Sequence, residues 1–182
     1  MGSQYAIRDN ESIYFVTGTV VDWVDVFSRD EYCNIFVDSL NFCIKEKGLK
    51  VHGWVLMTNH FHGLFSSKEG VVLSGIMRDM LKFLSKNIVK SIAENERESR
   101  REWMMHRFEW NGKKHYSNTK YKFWNDDLHA IPIYGNNMLD EKLEYIHQNP
   151  VRAGKVAEAS HWLYSSAIDY VGGKGKIDIS LV

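Results

Sequence analysis

The sequence predicts an α+β domain with a ferredoxin-like split βαβ antiparallel sheet and one appended helix. Segments rich in β-branched and aromatic residues alternate with segments of helical periodicity, in the order strand, helix, strand, strand, helix, strand, helix. This order is the split βαβ pattern with one further helix. The 182 residues, of which 44% are hydrophobic, are enough for a single domain (1–182) with its own core.

The first half of the chain supplies three strands and a helix. Ser12–Val21 is a predicted strand because β-branched and aromatic residues dominate it. Asp30–Lys47 carries apolar residues at helical spacing, and Gly48 follows as a stop signal. Val51–Met57 and His60–Ser66 are predicted strands separated by a very short connection, which indicates a hairpin.

Between the third and fourth strands we predict a long helix followed by a charged helical and loop insertion around residues 94–122. The long helix begins near Val71 and extends to about Ile92 on an apolar stripe. The densely charged segment Glu94–Arg101 either continues this helix into solvent or breaks it. Trp103–Trp110 is predicted to be helical again, and the polar residues after it are predicted to form a loop.

The last part of the chain contributes the fourth strand, the last helix and a tail. His129–Tyr134 is the predicted fourth strand. The last helix is predicted to run from Asn137, its N-cap, to Asn149, because Pro150 would stop it. The C-terminal tail around residues 171–182 is rich in glycine and lysine, and this composition predicts mobility.

Composition narrows the class of protein. No apolar run approaches the roughly 18–20 residues that cross a membrane, and no secretory signal is evident, so we expect no membrane partner. Cys33 and Cys43 fall on different faces of one predicted helix, which indicates free thiols in a reducing compartment and hence a cytoplasmic location. Lys plus Arg and Asp plus Glu each total 23, which argues against nonspecific coating of DNA but leaves room for a local basic surface.

The most informative motif is His60-Phe61-His62, which lies within an apolar strand. Alternate residues of a strand point to the same face, so the two imidazoles lie side by side. Neutral imidazole is a common ligand for divalent metals. Two histidines can also share a strand face by chance, so the pair alone does not identify a metal site. The same alternation places Phe61 and Phe65 on the opposite face, under the helices.

A second candidate motif lies on the last predicted helix. An apolar stripe runs along Leu139–Ile146, and Tyr145 and Asn149 sit one turn apart on its flank. A tyrosine hydroxyl and a side-chain amide therefore project from the helix in one direction. The alternative is a boundary tyrosine followed by an Asn-Pro helix stop. His147 lies on another side of the helix, where we expect a structural role.

Together these motifs resemble those of the REP-associated tyrosine transposases, which are single-tyrosine HUH transposases and nucleases. The resemblance extends over nearly the whole chain, in the segments Thr58–Leu64, Met77–Asp79, Lys82-Phe83, Phe123–Asp126, Tyr145–Gly154 and Trp162–Ala167. Two positions depart from the pattern. Thr58 stands where the family usually has proline, and Asn149 stands where related insertion-sequence enzymes have glutamine, although REP-associated members often have asparagine there.

The resemblance implies a site and a chemistry. His60, His62 and Asn149 would bind a divalent metal, Mg²⁺ or Mn²⁺. Tyr145 would be the nucleophile, so the appended helix would be catalytic. Single-stranded or hairpin DNA would be cleaved and rejoined through a 5′-phosphotyrosine intermediate. Both monomers and dimers occur among such enzymes, so a homodimer stays open.

Basic residues outside this site are candidate contacts for phosphates. The charged insertion supplies most of them, together with His115, Tyr116 and Tyr121, which can stack on unpaired bases. An ordinary solvated helix and loop would have the same composition. The predicted DNA-binding residues are Lys82, Arg97, Arg100, Arg101, Lys113, Lys114 and Arg152.

The sequence leaves three functions open. The first, which we expect, is a DNA strand transferase and endonuclease that depends on Tyr145 and a metal. The second is a catalytically inactive nucleic-acid-binding protein of the same fold. The third is a metal-dependent phosphodiesterase that activates water, and this enzyme would need His60 and His62 but not Tyr145.

Overall fold

Four strands form one antiparallel sheet in the computed structural model, which describes residues 7, 9, 12–115, 119–125 and 128–182. The order across the sheet is β2-β3-β1-β4, and each pair of neighbours is antiparallel. This arrangement confirms the predicted α+β class and the split βαβ topology. The strands are Tyr14–Thr19 (β1), Leu49–Leu56 (β2), His60–Ser67 (β3) and His129–Pro132 (β4).

Helices cover both faces of this sheet. On one face, Phe61 and Phe65 are buried in the larger core, where Phe36 of the first helix and Leu84 of the second also lie. The prediction that the two phenylalanines of β3 pack under the helices is therefore confirmed. Among the described residues, no helix combines the length and apolarity that a bilayer crossing requires. The helices are Asp30–Lys47 (α1), Leu73–Glu94 (α2), Arg101–Lys114 (α3), Asn136–Arg152 (α4) and Ala167–Tyr170 (α5).

The other face of the sheet receives α4. Ile146 is fully buried there in a smaller core with Val55 and Leu64. The helix can approach because β2 has a glycine beneath it: a Cβ on Gly53 would lie only 2.6 Å from Leu143 Cδ1. A side chain at this position would require the side chain of Leu143 to move.

The helix α4 starts one residue earlier than predicted. Its first residue is Asn136, and its N-cap is Gly135, without a side-chain capping bond. The assignment of Asn137 as N-cap is therefore wrong.

The C-terminal end of α4 also corrects a prediction, because Pro150 does not stop the helix. Proline lacks an N–H donor and so removes one hydrogen bond from the helix, but this proline is buried in the last turn, and its packing offsets that loss. The carbonyls of Asn149 and Pro150 accept hydrogen bonds from the backbone N–H groups of Ala153 and Lys155, at 3.0 and 2.9 Å. The helix therefore continues to Arg152, whose side chain becomes part of the same helix surface as the residues before the proline.

The charged segment after α2 breaks the helix. At its centre Glu98 is buried, and its carboxylate pairs with Arg29 Nε at 2.6 Å and with Arg100 Nε at 3.1 Å. Burial by itself would raise the pKa of Glu98. The hydrogen bonds and charge of Arg100 and the hydrogen bond from Arg29 outweigh burial and lower the pKa to about 2.

The helix α3 is longer than the predicted Trp103–Trp110. It continues through Gly112, which is buried against the backbone of Thr119 and Lys120, where a Cβ would not fit. The predicted stacking residue Tyr116, like Asp126 of the resemblance, lies outside the described residues.

Two 3-10 turns between β1 and α1 were not predicted, at Val21–Trp23 and Val26–Ser28. The first of them lies beside His60, because the ring centroids of Trp23 and His60 are 5.9 Å apart.

The tail after α5 has contacts with the domain. Ile177 is buried in the larger core, and the backbone N–H of Ser180 donates to the carbonyl of Val51 at 2.8 Å. The two cysteines are free thiols, as predicted, and burial raises the pKa of Cys33 to about 12 and of Cys43 to about 11.

Candidate active site

The two histidines of the His-x-His motif lie together at the start of β3. Their ring centroids are 4.9 Å apart. The neighbouring strand β1 places Thr17 opposite His62 and Thr19 opposite His60. His62 is buried and His60 is half-buried, so the pair forms the floor of a site at one end of the sheet.

A chain of hydrogen bonds orients the imidazole of His60. Asn59 Nδ2 donates to Asp25 Oδ1 at 3.0 Å and to the carbonyl of Trp23 at 3.4 Å. The amide is thereby turned so that Asn59 Oδ1 lies 2.7 Å from His60 Nδ1. Because this oxygen can only accept, Nδ1 of His60 carries the proton and Nε2 keeps its lone pair. Partners of this kind orient metal-binding histidines in proteins.

His62 is held by the neighbouring strand. Its Nδ1 lies 2.7 Å from Thr17 Oγ1, and its ring stacks on Phe15 with centroids 5.3 Å apart. Burial lowers the pKa of His62 to about 3, assisted by His60 and by the positive charge of Lys142. Burial also lowers the pKa of His60. Both rings are therefore neutral near pH 7, which is the form that binds metals.

The helix α4 brings Tyr145 against this pair. The tyrosine ring meets His62 edge to face, with centroids 5.2 Å apart, and meets Phe15 at 5.9 Å. The position of the helix is set by the neighbouring Ile146, which is buried in the smaller core. Tyr145 itself remains 37% exposed, so a ligand can reach it.

One turn further along α4, the side chain of Asn149 lies close enough to the imidazole of His60 to influence its pKa. The four residues that the resemblance singled out, His60, His62, Tyr145 and Asn149, thus meet in one place. The neighbouring His147 faces elsewhere, since its Nε2 lies 2.9 Å from Ser166 Oγ in a buried contact.

The donor atoms of this cluster fit a divalent cation. The described part of the chain has no group of three or more His, Cys, Asp or Glu side chains placed to hold a metal ion, so a metal here would depend on two histidines and one amide. At this site the ligands would be the rings of His60 and His62 and the amide oxygen of Asn149. Such mixed nitrogen and oxygen ligands suit Mn²⁺, whereas Mg²⁺ has a stronger preference for oxygen.

Two cations flank the tyrosine. Arg152 Cζ lies 5.4 Å from the centroid of the Tyr145 ring, and Lys142 Nζ lies 5.0 Å from the centroid of Phe15. Arg152 is a predicted DNA-binding residue. Lys142 was missed, although its place three residues before Tyr145 put it on the same helix face. Both charges can attract a phosphodiester to the site.

The predicted arginines of the insertion have protein partners. Besides its pair with Glu98, Arg100 donates from Nη1 to the carbonyl of Asp25 at 2.9 Å and from Nη2 to Ser28 Oγ at 3.1 Å. Arg97 lines a groove near the C-terminal end of α2, together with several acidic residues. Arg101 is the first residue of α3. These contacts tie Arg100 to the fold, and the structure does not gather the three arginines at the Tyr145 site.

The remaining predicted lysines lie on two surfaces. Lys113 pairs with Glu109 at 2.8 Å, and Lys114 Nζ lies 4.3 Å from the ring centroid of Trp110, both on α3. Lys82 lines a groove of about 590 Å³ between α2 and the segment after α3. The same groove contains the predicted stacking residue Tyr121 and three further lysines: Lys86, Lys90 and Lys120.

Comparison with known proteins supports the fold. No family model matches the chain, and no curated protein matches it. Among solved structures, one described as "Structure of the REP associates tyrosine transposase bound to a REP hairpin" superposes with a TM-score of 0.68, over 99% of this chain and 92% of that chain. The sequences are 16% identical, so the likeness is one of fold. The chain therefore shares the fold of that REP-associated tyrosine transposase.

Proposed function

We propose that this protein is a DNA strand transferase that cleaves and rejoins single-stranded DNA beside a hairpin, with Tyr145 as the nucleophile. The observation that carries the proposal is the meeting of two distant segments. Tyr145 packs on His62, and Asn149 lies beside His60, although the two motifs lie on different elements of the chain. A role in stability alone would not require the tyrosine to stay accessible beside two neutral imidazoles.

In the proposed reaction, Tyr145 Oη attacks the scissile phosphorus in line. The new bond joins this oxygen to phosphorus, and the bond to the 3′ oxygen breaks and leaves a 3′-hydroxyl. The tyrosine loses its proton and the leaving oxygen gains one. The product is a 5′-phosphotyrosine, and a second 3′-hydroxyl can reverse the step and join strands without ATP.

The other residues of the site bind and orient the phosphate. His60, His62 and Asn149 would hold a divalent cation, which would neutralise charge on the scissile phosphate when bound. Asn59 and Thr17 keep the two imidazoles in the orientation that such binding needs. Lys142 and Arg152 add positive charge on the tyrosine side, where the phosphodiester approaches.

Hairpin DNA is the substrate that the fold comparison favours, since the solved transposase is described as bound to a REP hairpin. The groove lined by Lys82, Lys86, Lys90 and Lys120 is the strongest candidate for contacts with the phosphates of the paired stem. Overall charge neutrality does not oppose this assignment, because the lysines are concentrated on one surface.

The test is formation of a covalent adduct. End-labelled single-stranded DNA that carries a hairpin, taken from short palindromes beside the gene, is incubated with protein and Mn²⁺ and separated on a denaturing gel. We expect a protein–DNA adduct with the wild type and none with Tyr145→Phe, while hairpin binding is unchanged. Tyr134→Phe is the matched control, because it removes a hydroxyl from an exposed tyrosine beyond the far end of β4.

Two results would contradict the proposal, and each identifies an alternative. Hairpin binding without an adduct on any flanking sequence indicates a binding protein without catalysis. Metal-dependent cleavage that survives Tyr145→Phe indicates a phosphodiesterase that uses water.

A further inference from the structure

The turn Val21–Trp23, hereafter the Trp23 turn, presents an exposed tryptophan beside the candidate site. The ring of Trp23 is 61% exposed, and its centroid lies 5.9 Å from that of His60, at an interplanar angle of 69°. Trp23 therefore stands at the edge of the site on the side of His60. Tyr145 approaches the pair on the side of His62.

The backbone of this turn is strained. Asp22 and Trp23 have φ angles of 53° and 55°, and among the described residues they are the non-glycine positions with positive φ. Such a conformation is costly for a residue with a bulky side chain. Exposing a large apolar ring is also unfavourable. Because neither property stabilises the fold, the turn is better explained by what the ring contacts when a ligand is present.

The surrounding structure holds the turn in place from two sides. On α3, Asn111 Nδ2 donates to Asp22 Oδ2 at 2.9 Å, and Arg107 Nη1 lies 3.8 Å from the same carboxylate. On the other side, Asn59 Nδ2 donates to the Trp23 carbonyl at 3.4 Å. The charged insertion thus has a structural role, since its helix fixes the turn that carries the tryptophan.

A cation of α3 reaches the residue before Trp23, and it also lies over a second exposed aromatic ring. Arg107, which pairs with Asp22, also lies with its Cζ 5.9 Å from the ring centroid of Trp103. Exposed aromatic rings with neighbouring cations are the combination by which proteins bind unpaired strands: the rings stack on bases, and the cations attract the backbone. A base within a duplex cannot offer its face in this way, because its neighbours already cover it.

We propose that Trp23 is a stacking platform for the unpaired nucleobase next to the scissile phosphate. The inference rests on the proposed function, because that function places the scissile phosphate at His60 and His62. The inference adds a reason why the DNA must be single-stranded at that point. A base is connected to its phosphate through a single sugar. A ring beside His60 can therefore stack on the base of the nucleotide next to the scissile phosphate. Stacking is tolerant of sequence, so Trp23 favours unpaired strands over duplex without selecting a base.

The test measures binding of two fluorescent hairpins, one blunt and one with an unpaired flank. We expect Trp23→Ala to weaken binding of the flanked hairpin about 10- to 100-fold and to leave the blunt hairpin unchanged. Trp23→Phe should restore most of the affinity, since it retains a ring. Tyr134→Ala is the control, because it removes an exposed aromatic side chain away from the site.

A scan of the flank locates the base. Single abasic positions are introduced along the unpaired strand, and we expect one position to weaken binding by the wild type but not by Trp23→Ala. Equal effects on both proteins at every position would overturn the stacking proposal.

A third variant separates binding from stability. Trp23→Gly relieves the positive φ, so we expect an unchanged or higher Tm together with the same loss of flank binding. A Tm lowered by several degrees would indicate a structural tryptophan and overturn the proposal. Failure of the proposed function would give a different result. Absence of a covalent adduct with the wild type contradicts the role of Tyr145. Full binding of the flanked hairpin by Trp23→Ala contradicts only the role of Trp23.

Discussion

Two polar clusters of this domain differ in whether their charges are compensated within the protein. Around Glu98, the buried carboxylate is held between the guanidinium groups of Arg29 and Arg100, so its negative charge is compensated within the protein. Around His62, the imidazoles are neutral, and the nearby cations Lys142 and Arg152 lie over aromatic rings. The first cluster is complete without a ligand and stabilises the fold. The second has imidazole lone pairs that can bind a cation, and the positive charge of Lys142 and Arg152 can attract an anion.

The largest expected effect breaks the second cluster. His62→Ala removes one of two imidazoles, and we expect adduct formation to fall by about three orders of magnitude or more while the domain still binds hairpin DNA. His161→Ala is the control, because that histidine is exposed and lies in the 3-10 turn after α4. Adduct formation at the wild-type rate in His62→Ala would remove the histidine pair from the chemistry.

The next effect breaks the first cluster. Glu98→Gln leaves two guanidinium groups without their buried carboxylate, and we expect the free energy of unfolding to fall by about 3 kcal/mol, measured by urea denaturation. Glu96→Gln, at an exposed position two residues earlier, should change stability by less than about 0.5 kcal/mol. An unchanged midpoint for Glu98→Gln would show that the ion pairs contribute nothing net.

The same carboxylate predicts a dependence of stability on pH. Its pKa is lowered in the folded state from 4.5 to about 2, so its contribution is complete above pH 4.5 and is lost as the pH falls toward 2. Wild type should therefore lose about 3 kcal/mol relative to Glu98→Gln over this interval. Urea denaturation of both proteins between pH 5 and pH 2 measures the difference, and parallel curves would contradict the assignment.

A smaller effect is expected from a residue that orients part of the second cluster. Asn59→Ala leaves both histidines in place but removes the acceptor that orients His60. We expect the affinity for Mn²⁺ to fall about 10- to 100-fold, measured by metal titration of the protein. Asn87→Ala serves as the control, since that amide bonds only within α2. Equal affinities would mean that His60 needs no outer partner.

The smallest effect concerns the cations around the tyrosine. Lys142→Ala and Arg152→Ala should each weaken hairpin binding for all sequences and reduce the dependence of log affinity on log salt by about one unit. Lys45→Ala on α1 should leave the slope unchanged, because this lysine is exposed on a helix that covers the other face of the sheet. If neither variant altered the slope of log affinity against log salt, the DNA phosphates would not contact these two residues.

Much of the fold was predictable because hydrophobic periodicity and topology agree. Asp30–Lys47 has the predicted bounds, and alternation in β3 correctly separated Phe61 from His60 and His62. The end of α4 was not predictable from local preference, since burial of Pro150 in the last turn outweighs its missing hydrogen bond.

The site was predictable only in part. The four residues named by the resemblance do meet. The place of Lys142 beside Tyr145 could also have been predicted from its position on the helix. The Trp23 turn was not, because its positive φ angles are imposed by Asn111 and Arg107 from a distant helix. Likewise, Arg100 resembled a phosphate contact in the sequence, and only the folded chain shows that it bonds Glu98 and the carbonyl of Asp25.

Asn59 joins two parts of the site through one amide group. Its nitrogen bonds the Trp23 carbonyl, and its oxygen accepts from the ring of His60. A nucleotide that restrains the Trp23 turn therefore also restrains the amide that orients His60. Under the proposed function, thermodynamic linkage requires reciprocity: any factor by which DNA tightened metal binding would equal the factor by which the metal tightened DNA binding.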